Sequence, residues 1–279
     1  MFQNGLLHAF IASVLVVCSF AAEANSSSTH HPPPHAGITL VIASHKTGSS
    51  FLDVVFSGIA RTSELCMVRL DFLNHGDLAQ TPEGLNKLCP HGGFLFGRKV
   101  PSPLTQKKMI DAMAEVSPSM QCRGIFQTRN PYDVIVSQFQ SFTQNHALPA
   151  GLSEEMKQAE ILKRKAEHEA GVDLYAKKHF PEVTYRLRNT RDFAALIKNS
   201  KKCDAMFSLY EEMTTTPEDW AHQIANFIKI KRGTKSYGFL QRKASEQHNV
   251  KPDEHKHTAY FLPGSHLRLL NVSTLNSLY

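Results

Sequence analysis

The chain has no cysteines at zinc-ligand spacing, which excludes the common structural zinc modules. It has no internal repeat, which excludes solenoids and propellers. No run of Lys and Arg forms a basic arm or a nucleic-acid-binding helix, so no nucleic acid partner is expected although the net charge is +6. Cysteines number only five in 279 residues, so the fold does not depend on a disulfide scaffold. With 42% hydrophobic and 20% charged residues the composition is that of an ordinary globular protein with a sizeable core. The apolar run Leu6 to Phe20 falls short of the roughly 20 residues that a membrane span needs.

That run is followed by "AAEAN", with Ala22 and Ala24 in the small-residue arrangement of a signal-peptidase site. Residues 1–24 are therefore expected to be a signal peptide cleaved after Ala24, or the signal anchor of a type II membrane protein, in which case they hold the chain to a membrane. Residues 25–36, "NSSSTHHPPPHA", are rich in Ser, His and Pro and read as a linker. Asn25 and Asn271 lie in N-x-S/T sequons, which suits a lumenal glycoprotein. Outside the leader stand Cys66, Cys89, Cys122 and Cys203, enough for two disulfides in any of three connectivities. Cys122 and Cys203 both precede apolar strand-like runs, which favours them as a buried pair.

Residues 37–279 are expected to fold as one domain. "GITLVIAS" is a continuous apolar, β-branched run, as in a strand buried on both faces. Further strands are expected over Gly93–Val100, Arg123–Arg129 and Ala205–Tyr210. Helices are expected from Ser50 to Ile59, burying Phe51, Val54, Val55 and Ile59, and after Asn130, which can cap a helix with Pro131 at its first position. Thr216 and Pro217 open another, burying Trp220, Ile224, Phe227 and Ile228. Glu154–Lys178 reads as a single amphipathic helix lying on the domain through Leu152, Met156, Ala159, Leu162, Ala166 and Ala170. Strands alternating with helices predict an α/β fold with a mostly parallel central sheet flanked by helices.

The turn after the first strand, "SHKTGSSF", sits between a strand and a helix start, where free backbone N–H groups attract an anion. Gly48 permits close backbone approach, Ser49 and Ser50 supply hydroxyls, and Lys46 adds a positive charge. The pattern is not the nucleoside-triphosphate loop G-x-x-x-x-G-K-[ST], because the lysine precedes the glycine. Arg129 ends a predicted strand, and Ser137 follows eight residues later in the next helix; the pair suits a second phosphate.

Together the segments resemble the sulfotransferases that use 3′-phosphoadenosine-5′-phosphosulfate (PAPS). "HKTGSSFL" is similar to that family's 5′-phosphosulfate loop, with His45 in the place of a frequent proline. "RNPYDVIVSQFQSF" is similar to its 3′-phosphate segment, and "LYEEMTTTPEDW" to its downstream strand and helix. "FLPGSHLRLL" is a weaker likeness to its final glycine loop, lacking the usual basic residue before Gly264; Arg268, Arg242 or Lys243 could compensate. The resemblance implies a three-layer, P-loop-like fold and a Golgi-type or secreted enzyme. It implies that Lys46, Thr47, Gly48, Ser49, Ser50 and Phe51 surround the phosphosulfate, and that Arg129, Ser137 and Gly264 hold the 3′-phosphate. It further implies a hydroxyl acceptor, expected to be a carbohydrate, and a reaction without a metal.

Sulfuryl transfer also needs positive charge at the leaving phosphate, expected from Lys46, and a general base. His91 in "CPHGG" and His75 in "DFLNHGD" are the candidates for the base, with Glu64 and Asp71 as carboxylate alternatives. Two other classes compete: a P-loop nucleotide kinase, and a catalytically inactive nucleotide- or glycan-binding protein. Protein tyrosine and small molecules are alternative acceptors, and the oligomeric state is open.

Overall fold

A computed structural model describes residues 37–71, 75–116, 122–145 and 147–249. The leader, the linker, both sequons, Gly264 and Arg268 lie outside the described residues. The elements run β1 (Ile38–Ala43), α1 (Ser49–Thr62), β2 (Cys66–Arg69), α2 (His75–Leu78), α3 (Pro82–Leu88), β3 (Gly93–Gly97), α4 (Pro103–Glu115) and β4 (Cys122–Thr128). Next come α5 (Pro131–Gln140), a π-helical turn (Ser141–Asn145), α6 (Glu154–Ala170), α7 (Val172–Asn199), β5 (Cys203–Leu209), α8 (Tyr210–Thr215), α9 (Pro217–Phe227) and α10 (Lys235–Asn249).

The five strands form one parallel sheet in the order β2-β3-β1-β4-β5. All six residues of β1 are buried, as its unbroken apolar sequence requires of a central strand. Their side chains alternate between two cores. Val41 and Ala43 join Leu52 and Phe56 of α1, Trp220 and Ile224 of α9 and Leu240 of α10. Ile38, Leu40 and Ile42 join Met109 and Met113 of α4 and Phe193 and Ile197 of α7. A sheet covered on both faces is the three-layer α/β sandwich expected. A third cluster packs Val134, Ile135 and Phe139 of α5 against Tyr175, Val183 and Leu187 of α7.

Four of the five strands coincide with apolar runs in the sequence. The fifth, β2, is only four residues long and ends on exposed Arg69, too short to show a period. Helix α1 buries Leu52, Val55, Phe56 and Ile59, while Val54 is 52% exposed, so its buried face is rotated from the one expected. The segment expected as one helix from Glu154 to Lys178 is two, because Gly171 at φ 87° ends α6 and α7 starts afresh. Helix α6 also lies the other way up. Its less exposed side is Lys157, Glu160, Arg164 and Glu167, and its apolar stripe faces outward. Long cationic stems over Phe142 explain the docking: the Arg164 guanidinium lies 5.0 Å and the Lys163 ammonium 5.5 Å from the ring centre.

Disulfides join Cys66 to Cys89 and Cys122 to Cys203, the second being the pairing favoured from sequence. Cys122 and Cys203 are in register at the starts of the adjacent strands β4 and β5. Their sequence separation of 81 exceeds the 23 of the other pair, so loop-closure entropy assigns them the larger effect. Replacing Cys122 and Cys203 by Ala is expected to lower unfolding free energy by about 4 kcal/mol, against about 3 kcal/mol for Cys66 and Cys89. Denaturant titration of the two double variants checks this; the reverse ranking would contradict it.

Candidate functional site

The strand order places the site. From β1 the chain crosses towards β2, and from β4 it leaves in the opposite sense towards β5. The crevice beyond the ends of β1 and β4 is therefore the topological switch point, where open α/β sheets bind ligands. Ala43 is in register with Gln127, so the turn after β1 and Arg129 after β4 emerge side by side.

The turn is tightly specified. Thr47 is fully buried and closes it twice on the Ser44 carbonyl, which accepts from the Thr47 N–H at 3.2 Å and from its hydroxyl at 2.7 Å. The Ser44 hydroxyl lies 3.2 Å from that of Thr190 on α7, which pins the turn to the layer behind the sheet. Lys46 and Gly48 both take positive φ, 66° and 90°. A left-handed non-glycine residue costs on the order of 1 kcal/mol and marks a loop shaped for a purpose. Gly48 is required twice, by its φ and because an added Cβ would lie 3.1 Å from the Tyr210 ring. It precedes α1 with no side-chain cap, so the first N–H groups of that helix remain available to an anion. Ser49 is buried in the helix start, whereas Ser50 is exposed and Phe51 half-buried.

Arg129 is buried and ties the two segments together. It donates through Nη1 to the Lys46 carbonyl at 3.1 Å, and its guanidinium lies 4.1 Å above the Tyr210 ring. Its Nε is buried without a hydrogen-bond partner among the described residues. A buried donor left unmade costs roughly 1–3 kcal/mol, so the group is poised for a ligand acceptor. Asn130 then caps α5 as expected, accepting from the Tyr132 N–H at 2.9 Å, while the Glu211 carboxylate accepts from the Asn130 N–H at 2.8 Å.

Lys46 donates to the hydroxyl of Ser141 at 2.5 Å. Ser141, the first residue of the π-helical turn, stands four positions beyond Ser137, and Asp133 and Ser137 lie one turn apart along one face of α5. Ser137 is thereby bracketed by Asp133, which feels the charge of Arg129, and Ser141, which holds Lys46. Burial, and then the charge of Arg129, pull the Lys46 ammonium below its ordinary value of 10.5. Burial raises the Asp133 carboxyl, Arg129 opposing and Glu211 reinforcing the shift. Two neighbouring cations, one desolvated and one with an unmade donor, are what a bound dianion would relieve.

Other residues fall outside this cluster. His91 precedes β3, and Gly93 is in register with Ile38 at the start of β1, so His91 is at the opposite end of the sheet from Lys46. It is set aside as the base for that reason, and Glu64, just before β2, for the same one. His75 is on the correct rim, beyond the end of β2, a strand that lies two strand spacings, about 10 Å, from β1. Its Nδ1 is 3.2 Å from the Arg69 carbonyl, which makes Nδ1 the donor and leaves Nε2 as acceptor. Asp71 accepts from the Arg98 N–H at 3.0 Å on the same rim. Arg242 and Lys243 both pair with Glu246 on their own helix. A cavity of about 290 Å³ meets the cluster only at Arg129; Thr128, Leu187, Arg191, Phe207 and Glu212 also line it.

The sulfotransferase-domain family matches residues 38–260, nearly all of the folded chain. The chain belongs to that family. No curated protein matches it at a significant level. In this sulfotransferase the residues that sequence missed are Ser141, whose only signal was its position one turn after Ser137, and Gln127. The Gln127 amide is fully buried with both its nitrogen and its oxygen unpaired among the described residues, and nothing in the pattern of β4 announces it. No group of three or more metal-binding side chains occurs among the described residues.

The lowered Lys46 gives the site a pH signature. An anion binds the charged ammonium, so affinity should fall by about tenfold per pH unit above the free-state value, which lies below 10.5. Calorimetry with adenosine 3′,5′-bisphosphate as probe is expected to show that decline in the native chain. Lys46→Arg should remain flat over the same range; parallel curves for the two proteins would remove Lys46 from the anion site.

Proposed function

We propose that this sulfotransferase moves a sulfuryl group from PAPS to a hydroxyl of a glycan, within the secretory pathway. The observation that carries the reading is the bond from Arg129 to the Lys46 carbonyl, which holds two phosphate-type segments together. One segment would take the 5′-phosphosulfate through Lys46, Thr47, Gly48, Ser49 and Ser50, beside Phe51. The other would take the 3′-phosphate through Arg129 and Ser137. The fit is supported by the unpaired Nε of Arg129 and the uncapped start of α1. The donor supplies an activated S–O bond, and adenosine 3′,5′-bisphosphate is its leaving group.

The chain's own residues supply position and charge. Lys46 would release Ser141 and neutralise the oxygen that leaves with the phosphate. The free N–H groups after Gly48 face the same developing charge. The acceptor oxygen forms its bond to sulfur as the S–O bond to phosphate breaks, and its proton passes to a base. His75 is the base proposed, through Nε2, since Nδ1 is committed to the Arg69 carbonyl. Arg69 and Arg98, with side chains 44% and 48% exposed, sit on the rim between His75 and the turn and suit an anionic glycan. The Asp53 carboxylate lies 2.9 Å from Arg69 and 3.4 Å from Arg98, holding both in place.

Two disulfides support an oxidising compartment, consistent with a Golgi-lumen enzyme anchored by residues 1–24, or one secreted after their removal. No helix among the described residues is long and apolar enough to cross a membrane.

Incubating the mature domain with radiolabelled PAPS and a panel of glycans, tyrosine peptides and phenols tests the reading. Transfer to an acidic glycan is expected, with Lys46→Ala lowering it by about 10³-fold or more. His75→Gln should lower kcat by about 10²-fold while leaving bisphosphate affinity unchanged. Magnesium-dependent ATP binding without transfer would reject the proposal in favour of a kinase. Bisphosphate binding without transfer to any acceptor would leave a binding protein.

A further inference from the structure

Helix α1 runs from the Lys46 turn to a far end at Thr62, and cations cluster at that far end. No acidic residue stands between Asp219 and Glu246, a stretch that carries Lys229, Lys231, Arg232 and Lys235 where α9 passes into α10. All four are exposed. Hydrogen bonds fasten this connection to α1: the Ser236 hydroxyl lies 2.8 Å from that of Thr62 and 2.6 Å from that of Ser63. Exposed Arg61 is thereby brought towards Lys235. None of these five cations forms an ion pair among the described residues, whereas Arg242 and Lys243 further along α10 both pair with Glu246. Lys229 takes φ 62° just past α9, where the Ile230 N–H reaches back to the Ala225 carbonyl at 2.8 Å. Glycine is the usual residue for such a left-handed helix ending, so the chain keeps a positive charge where a smaller residue is less strained.

A stripe on α1 joins this cluster to the rim that faces the acceptor. Asp53, Ser57 and Arg61 follow at four-residue spacing and share one face of the helix, about 12 Å from first to last. Arg69 is bonded to the Asp53 carboxylate at 2.9 Å and to the Ser57 hydroxyl at 3.4 Å, and Arg98 reaches Asp53 at 3.4 Å. Positive groups therefore continue from Arg98 and Arg69 at the rim, along α1 to Arg61, and on to Lys235. Against them stand Asp53, which two guanidinium groups already share, and Glu64 just past α1.

The surroundings of the cluster select the class of polyanion. A membrane-binding face sets large apolar residues among its lysines, and a face for single-stranded nucleic acid sets aromatic rings among them. Neither is present: Ile230 and Phe239 pack on the core, Tyr237 is buried, and no other large apolar side chain on these segments is exposed. The exposed neighbours are the hydroxyl residues Thr62 and Thr234. Cations among hydroxyls, in a chain whose two disulfides belong to an oxidising compartment, suit a sulfated or carboxylated sugar chain.

We propose that an acidic glycan lies along this track, its reacting hydroxyl at the rim and its trailing anionic groups on Arg61, Lys229, Lys231 and Lys235. The proposal rests on the glycan reading of the site and adds a second point of attachment. A long acceptor is then held at both ends of α1, and a short one at the rim alone.

Calorimetry of the purified chain with a heparin oligosaccharide, without sulfuryl donor, tests the track apart from the reaction. Lys231→Ala with Lys235→Ala should raise the Kd by about tenfold or more and flatten its dependence on salt. Lys107→Ala with Lys108→Ala removes the same charge from exposed positions on α4 and should leave the Kd unchanged. Lys229→Gly should weaken binding without lowering the unfolding free energy, which separates loss of charge from loss of fold. With radiolabelled PAPS, the Lys231 and Lys235 variant should show a raised KM for a long acidic glycan, with kcat and the KM of a short acceptor as in the native chain. Equal effects of the two double variants on the Kd overturn the proposal. So does binding to vesicles containing phosphatidylserine but not to the oligosaccharide, or transfer to the long glycan with an unaltered KM. Binding that the Lys231 and Lys235 variant weakens, with no transfer to any acceptor, supports the track and rejects the transfer reading alone.

Discussion

One hydrogen bond organises the site: the donation from Arg129 to the carbonyl of Lys46. Each residue belongs to a different strand–turn–helix unit, and the bond joins the two units at the switch point. A planar guanidinium can do this because it stacks on Tyr210, reaches the Lys46 carbonyl and still has a donor to spare. A lysine at this position would supply charge without the fork. The carbonyl is available only because Lys46 has left-handed backbone geometry, which in turn depends on Thr47 folding back on Ser44. The anchor of that turn, Thr190, lies on the far side of the sheet. Catalytic geometry and core packing are thus continuous.

Much of this was legible in the sequence because it is local. An unbroken apolar run announced β1, Asn130 and Pro131 announced the start of α5, and Lys46, Gly48 and Arg129 stood out by order and spacing. What was not legible depends on which way a face points. The burial face of α1 is set by the packing of Phe56 and Leu52 beneath α9 and α10, which the local period does not resolve. Helix α6 has a clear apolar stripe, yet the cation–π contacts to Phe142 decide its orientation, and those join residues far apart in the chain. His91 was a fair candidate by composition alone. Its rejection follows from strand direction and register, properties that exist only once the sheet is formed.

The same distinction applies to polar residues. Ser137 matched a familiar spacing, but Ser141 is the one that meets Lys46, since a helix presents positions four apart to the same neighbour. Gln127 sits in the buried strand β4 beside Phe126 with its amide unpaired among the described residues. Local sequence–structure agreement fails at Gln127 and Lys46, both next to the switch point, where strain and unmade bonds are tolerated for function.

The two disulfides have a mechanical consequence. Cys66, Cys122 and Cys203 each begin a strand, and Cys89 lies just before β3, so both covalent links fall at one end of the sheet. The opposite rim, with Lys46, Arg129 and His75, carries no cross-link among the described residues. The sheet is riveted where its strands start and free where they finish, like a fan fixed at its handle. The strand register is locked covalently where the strands begin, while the turns at the open rim are held by noncovalent contacts alone among the described residues.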